Sequence, residues 1–133
     1  MNSFILLLQD ASRSERIEGV NSFVGEDASG SFGILADHSR MMTTLVIGLA
    51  RFRIGDTNWQ YLAMPGAVLY FFNNELTLST RRYLRDADYT RISAALQEQL
   101  LAEEELLRAT RESLRRMEES LLKRLWELGH KGG

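Results

Sequence analysis

Few residues in this chain have the type and spacing to do chemistry. Ser31, Asp37 and His38 fall close together and are the residue types of a nucleophile, an orienting acid and a base. No strand–turn–helix elbow precedes Ser31, and nothing in the spacing fixes three side chains in one geometry. His38 therefore reads as a loop or interface residue. The stretch Gly25-Glu26-Asp27-Ala28-Ser29-Gly30 opens like a phosphate-binding loop, but Ser31 and Phe32 follow where that chemistry needs a lysine. Glu26 and Asp27 would also repel a phosphate, so the stretch reads as a surface loop between strands. The chain has no cysteine, which removes disulfides, thiolate zinc sites and cysteine nucleophiles together. The two histidines, His38 and His130, are far apart, and no carboxylate spacing completes a metal site. No catalytic residue, no metal and no resident cofactor are expected, and the chain is not expected to be an enzyme.

The 133 residues make one domain, or one domain with an appendage. Sixteen basic and 18 acidic side chains leave a net charge of −2, too little positive charge for a general nucleic-acid binder. Trp59, Tyr61, Tyr70, Phe71 and Phe72 could stack on bases, but their alternation within strands makes them core or interface residues first. The apolar fraction of 44% suffices for a core. No apolar run reaches the roughly 18 residues that a membrane span needs, and residues 4–8, without basic residues before them, are not expected to be a signal peptide.

Punctuation divides the chain. Seven of ten glycines and the only proline precede residue 67, and neither type occurs from Ala67 to Leu128. The first part reads as short strands. Residues 4–8 are a continuous apolar run. Ala50, Phe52 and Ile54 alternate with Arg51 and Arg53 before Gly55-Asp56, and Trp59, Tyr61 and Ala63 alternate before Pro65-Gly66. Pro65-Gly66 suits the centre of a type II turn, and Asn73-Asn74 suits a two-residue hairpin between residues 68–72 and 75–79. Many short strands at this spacing indicate a sandwich or barrel.

The second part reads as helix. Asp86 or Asp88 can cap its start and Gly129 its end. Leu100, Leu107, Leu114, Leu121 and Leu128 recur every seven residues, widened by Leu96, Leu101, Leu106, Met117, Leu122 and Leu125. With those leucines at one core position of a heptad, the companion position holds Gln97, Glu104, Arg111, Glu118 and Leu125. That seam is poor for a self-standing coiled coil, so the helix is expected to lean on a partner or fold back as a hairpin. A break near residues 104–110 is the expected turn. The group Arg108, Arg111, Arg115 and Arg116 is either a contact for acidic surfaces or a solvated face paired with Glu104, Glu112 and Glu119. The expected fold class is α+β: an antiparallel β-sandwich over residues 1–85, then a helical arm over 86–133 formed as an antiparallel two-helix hairpin.

One segment is similar to a known family. Gly30, Gly33, Ile34, Leu35, His38, Leu45 and Gly48 match, at the family's spacing, a segment of the epsilon subunit of F-type ATP synthases. Residues 65–69 resemble its next turn and strand, and Asn74, Leu76, Thr77 and Leu78 the strand after that. The resemblance covers the whole chain in length and element order. It implies a β-sandwich with a C-terminal pair of helices, working as a non-catalytic rotor-stalk subunit that couples the catalytic sector to the membrane c-ring and regulates ATP hydrolysis through its helices. It implies a c-ring-facing loop with Gly30, Ser31, Gly33 and His38, and a gamma-subunit contact at Met41, Met42 and Leu45. It implies the gamma subunit, the c-ring and, through the arm, the alpha/beta hexamer as partners, at the cytoplasmic face of the cell inner membrane without insertion. Some members bind ATP as a weak regulatory ligand through a motif that Asp88 and Arg91 match, although its flanking residues are not kept here. Leu69 and residues 79–81 also depart from the family pattern, which suits a divergent branch such as the sodium-motive type. Two other readings compete: a stand-alone adaptor that dimerises through its leucines, and a small ligand-binding sandwich for which no convergent polar pocket can be named.

Overall fold

A computed structural model describes residues 2–131, with side chains described through Gly129. Nine strands precede one helix: β1 (Phe4–Gln9), β2 (Ser14–Asp27), β3 (Gly30–Ile34), β4 (Met41–Leu45), β5 (Gly48–Ile54), β6 (Gln60–Met64), β7 (Ala67–Phe72), β8 (Glu75–Ser79), β9 (Leu84–Asp86) and α1 (Tyr89–Lys131). By contacts the chain divides into two units, Met1–Leu96 and Gln97–Gly133. The first, the head, holds every strand and the start of α1.

The long β2 builds the sandwich by serving two layers. Its first half pairs with β1, which continues through β8 and β7 to β4. Its second half pairs with β3 on one side and β5 on the other, continuing to β6 and β9. The passage between layers is made by two bulges. One extra residue opposes β1 between Ile17 and Val20, and one opposes β5 between Val20 and Ser22. Gly19 sits in the first bulge at φ 74°, a conformation that glycine takes without a Cβ penalty. Strand pairing is antiparallel as expected, except that β1 runs parallel to β8. Gly66 takes φ 135°, but the turn at Pro65-Gly66 carries the chain from one layer to the other and closes no hairpin. Asn73 and Asn74 do close the β7–β8 hairpin, at φ 53° and 58°.

Between the layers lies a core with four fully buried phenylalanines, Phe4, Phe23, Phe52 and Phe71. Strand alternation sets it. Ala67, Leu69 and Phe71 point inward from β7, while Val68, Tyr70 and Phe72 point out. Residues 4–8 follow the same rule: Phe4, Leu6 and Leu8 are buried, and Ile5 and Leu7 are half-buried. In β6, Leu62, Ala63 and Met64 are all buried, so this strand is covered on both faces. The start of α1 supplies the second cover. Tyr89 meets Tyr61 edge-on, ring centroids 5.3 Å apart, and Ile92 is 1% exposed.

The helix corrects two expectations. It runs unbroken through residues 104–110, so one helix stands where a two-helix hairpin was expected. Nothing in that stretch stops a helix: no glycine or proline occurs, and the Thr110 hydroxyl donates to the Leu106 carbonyl one turn back (2.8 Å). Arg108 spans the stretch, donating to Glu105 and to Glu112 Oε1 (3.0 Å). The helix also passes through Gly129 instead of ending there. An interior glycine costs only about 1 kcal/mol relative to alanine.

Candidate interaction surfaces

The stretch read as a surface loop between strands is a turn, and it holds the Asp27 carboxylate. Residues 25–27 end β2 and residues 27–30 make the β2–β3 hairpin, with Gly30 at φ 125°. Asp27 Oδ1 accepts from the Ser29 N–H (2.9 Å) and Oδ2 from the Thr43 hydroxyl (3.0 Å). Chiefly through the Ser29 hydroxyl, these donors hold its carboxyl below the usual carboxylate range. The triad residues part as well. Ser31 is an exposed β3 residue paired with Glu26. His38 lies beyond the far end of that strand, its Nδ1 2.7 Å from the Ser39 carbonyl and its ring edge-on to Phe71 at 5.8 Å. Asp37, left-handed at φ 64°, exchanges hydrogen bonds with Asn74: its N–H donates to Asn74 Oδ1 (2.7 Å) and Asn74 Nδ2 donates to its Oδ1 (2.9 Å). That pair ties the 35–40 segment to the β7–β8 turn.

Gly30, Ser31, Gly33 and His38 therefore do not form one loop. They are strung along β3 and the segment leaving it, over about 13 Å of strand. Among the described residues β3 pairs only with β2, so Gly30, Ser31 and Gly33 mark a sheet edge.

The three residues of the implied gamma contact also separate by alternation. Leu45 is buried in the core and Met41 packs against it, so neither side chain is free to meet a partner. Met42 is 71% exposed. Register places it opposite Tyr70 on β7, with Thr44 opposite Val68. Phe72, 51% exposed, completes the patch, and its ring stacks with Tyr70 at 6.4 Å. The Arg40 guanidinium lies 5.1 Å from the Phe72 ring centre and 5.7 Å from that of Tyr70. The outer face of the β4–β7 pair is thus an apolar patch with one cation over its aromatic rings. A lone exposed leucine needs no explanation, but a contiguous apolar patch on a sheet marks a contact surface. The resemblance had singled out Met42, and the sequence read Tyr70 and Phe72 as core or interface residues. The alternating burial of residues 67–72 separates them from Phe71, and six apolar residues in a row gave no sequence signal for it.

On the other layer, Arg51 and Arg53 both lie against Trp59, at 4.5 and 4.9 Å from its ring centre. A second cluster locks the strand that leads into α1. The Tyr83 hydroxyl donates to Glu15 Oε1 (2.6 Å), and Arg85 donates to Glu15 Oε2 and to Gln60 Oε1 (both 2.8 Å). Arg13 stacks over the Tyr83 ring at 4.1 Å and donates to the Tyr83 carbonyl (2.8 Å). Burial, reinforced by Glu15, pushes the Tyr83 phenol up to about 12, while the Tyr83 hydroxyl and then Arg85 hold Glu15 below its ordinary value.

Asp88 and Arg91 are occupied at the helix start. Asp88 is the N-cap, its Oδ1 accepting the Arg91 N–H (3.1 Å). The Arg91 side chain turns away from Asp88 and forks onto Asp86, Nη2 to Oδ1 at 2.8 Å and Nε to Oδ2. Asp86 Oδ1 also accepts the Asp88 N–H (2.9 Å). The Arg91 fork holds the Asp86 carboxyl far below its usual range and raises Arg91 in turn. A groove of about 690 Å³ reaches from Asp10 to Thr80 and Arg81, and two of its polar side chains are bonded within it. Asp10 accepts the Ser12 and Arg13 N–H groups (2.8 and 2.9 Å), and the Thr80 hydroxyl donates to the Gly66 carbonyl (2.6 Å). No group of three or more metal-ligating side chains occurs among the described residues, and no described helix is long and apolar enough to cross a membrane.

A β-sandwich that presents apolar and charged faces, continued by an amphipathic helix, is an interaction module. Residues 10–86 match the model of the ATP synthase delta/epsilon chain β-sandwich domain, and the chain belongs to that family as an epsilon-type member. It is 35% identical to ATP synthase epsilon chain 2 of Cereibacter sphaeroides, over 71% of this chain and 65% of that one, and so spans just under two thirds of that relative's length. It is 30% identical to the chloroplastic ATP synthase epsilon chain of Pelargonium hortorum, over 70% of this chain and 68% of the other. Among solved structures it shares a fold with a chain of the Euglena gracilis mitochondrial ATP synthase, at a TM-score of 0.59 and 17% identity over 72% of this chain and 62% of that one.

Proposed function

We propose that this chain is a central-stalk rotor subunit of an F-type ATP synthase, joining the catalytic sector to the membrane c-ring. Family membership supports the assignment, and the observation that carries the mechanism is the division of labour in the head. One face of one layer is apolar and unpartnered, and one sheet edge carries the residues that resemble the c-ring-facing segment. In this reading the outer face of β4 and β7, through Met42, Tyr70 and Phe72, seats on the gamma subunit. The β3 edge, with Gly30, Ser31 and Gly33, faces the c-ring together with His38 on the segment that leaves it. The packed core makes the head stiff enough to transmit torque between them. The subunit lies at the cytoplasmic face of the inner membrane, held by these protein contacts.

The arm supplies regulation. Its exposed leucines, with Arg111 among them, and its arginines at 108, 115 and 116 give it apolar and charged contacts for the alpha/beta hexamer. Docking there would hinder ATP hydrolysis, and undocking would release it, a switch that needs only a few kcal/mol between two packings. Asp88 and Arg91 serve the helix start in this reading, and ATP binding there would have to displace both the cap and the Asp86 fork. The test is purification of the enzyme through a tag on this chain. Co-elution of gamma and c-ring subunits in fixed ratio is expected. A tagged chain recovered alone from cells that contain the assembled enzyme would overturn the assignment.

A further inference from the structure

The apolar patch on β4 and β7 is built around a sulfur. Of the described methionines, Met64 is 2% exposed and Met41 packs against the core, while Met42 and Met117 are 71% and 66% exposed. Met42 is the one that stands on the patch. Register sets it opposite Tyr70, at the spacing where cross-strand side chains interact. The Arg40 guanidinium lies over the Tyr70 and Phe72 rings on the same face. While reduced, a thioether suits such a patch, because it is apolar and makes favourable contacts with aromatic rings. It is also the side chain there that a mild oxidant can change. We infer that Met42 is a redox modification site: a peroxide converts it to the sulfoxide in the unassembled chain, and the sulfoxide blocks docking on the gamma subunit. The inference rests on the proposed docking of this face.

The step balances with hydrogen peroxide as the oxidant. A sulfur lone pair attacks one peroxide oxygen, the O–O bond breaks and an S–O bond forms. The proton on the transferred oxygen moves to the departing oxygen, which leaves as water. The sulfur is oxidised and the peroxide is reduced. The reaction needs an open approach to the sulfur, which Met64 lacks and Met41 has only in part. Docking would cover Met42, so modification precedes assembly. The product is a polar, chiral group at the centre of an apolar face. The sulfoxide oxygen is a strong acceptor formed on a face that already holds a cationic donor, Arg40, so the oxidised patch is more polar than the reduced one. Seating it against an apolar partner surface would bury a polar group in a dry contact, enough for a loss of about tenfold in affinity. Oxidised chains are thereby kept out of the stalk until a reductase repairs them.

The experiment treats the full chain with hydrogen peroxide and follows each methionine by tandem mass spectrometry. Rebinding is then measured to a catalytic sector, gamma subunit included, from which this chain has been stripped. Met42 and Met117 should oxidise well ahead of Met41 and Met64, and affinity should fall about tenfold in step with Met42. Methionine sulfoxide reductases should restore it. Met42→Leu should keep its affinity after peroxide treatment although Met117 is oxidised, whereas Met117→Leu should lose affinity like the native chain. Phe72→Ala reports the docking surface without touching the sulfur. If Phe72→Ala weakens binding and the Met42 sulfoxide does not, the redox site is overturned and the docking surface stands. If neither weakens it, the docking surface is wrong and the inference falls with it. Oxidation of Met42 no faster than that of Met41, or an equal loss of affinity in peroxide-treated Met42→Leu, also overturns the proposal.

Discussion

Phe71 and Phe72 are adjacent and chemically identical, yet the fold gives them opposite tasks. Phe71 is fully buried, edge-on to Phe4 at 5.6 Å and to His38 at 5.8 Å. Phe71→Ala removes a whole buried ring and leaves a cavity that the packed layers cannot close, at a cost of about 3–5 kcal/mol. For a domain near 100 residues that lowers Tm by at least about 12 °C. Phe72 is half-exposed, and Phe72→Ala gives up part of one apolar burial and a surface contact with Arg40. The cost is about 1 kcal/mol, or roughly 4–8 °C. Thermal unfolding of the two variants should therefore separate them by several-fold in destabilisation. Binding to the gamma subunit should rank them the other way. If Phe72 is a central anchor of that contact, its loss weakens binding about thirtyfold, a cost near 2 kcal/mol. Equal destabilisation by the two substitutions would refute the assignment of faces. Unchanged gamma affinity in a folded Phe72→Ala variant would refute the docking surface.

Other consequences follow from the clusters around the helix start. Ile92→Ala should destabilise the head by roughly 2–5 kcal/mol in chemical denaturation, because Ile92 is a core-like contact despite lying on the helix. For the same reason a fragment ending at residue 96 should unfold within a few degrees of the full chain, and one ending at residue 86 well below it. The Glu15–Tyr83 pair makes stability depend on pH at both ends. Glu15 has a folded pKa below its ordinary 4.5, so its contribution is present above that pH and is lost as pH falls further. Tyr83 is raised from 10.0 to about 12, so its contribution is complete below pH 10 and disappears as pH rises through 12. Tyr83→Phe should abolish the alkaline loss and cost about 1–2 kcal/mol at neutral pH, read from denaturant titrations across pH. Asp86→Asn should speed amide exchange at residues 89–92 while leaving the strands protected, since it weakens the Arg91 fork and spares the core. In the assembled enzyme, removal of residues 97–133 should raise ATP hydrolysis if the arm restrains it, and identical turnover would remove the regulatory part of the account.

Much of the head was legible because strands write their orientation into alternate residues. The strand period sets Ala67, Leu69 and Phe71 apart from Val68, Tyr70 and Phe72, but all six are apolar, so which set faces the core came from the fold and not from the sequence. Asn73-Asn74 announced its hairpin, since asparagine accepts positive φ more easily than most residues. What escaped the sequence depended on pairing across distance. Nothing local distinguishes a turn that closes a hairpin from one that changes layers, which is why Pro65-Gly66 was legible as a turn but not as a crossing. The bend of β2 at Gly19 and the parallel β1–β8 pair are likewise set by which strand arrives beside which. In the candidate surfaces, the resemblance selected Met41, Met42 and Leu45 together, although only Met42 is exposed, because a sequence match records position and not the side of the sheet. The helical hairpin was expected from the poor heptad seam, from the length of one rod, roughly 64 Å, and from the family resemblance. Residues 103–110 contain only helix-compatible side chains, and no local signal for a turn exists there.

Site-specific photocrosslinking in the assembled enzyme tests the central claim most directly. A photoreactive side chain is placed at Met42, on the outer face of β4, and in a second chain at Trp59, on the other layer. The account predicts a covalent product between the position-42 chain and the gamma subunit, and none from position 59. A gamma product from position 59 alone, or no product with any rotor subunit from position 42, would contradict it.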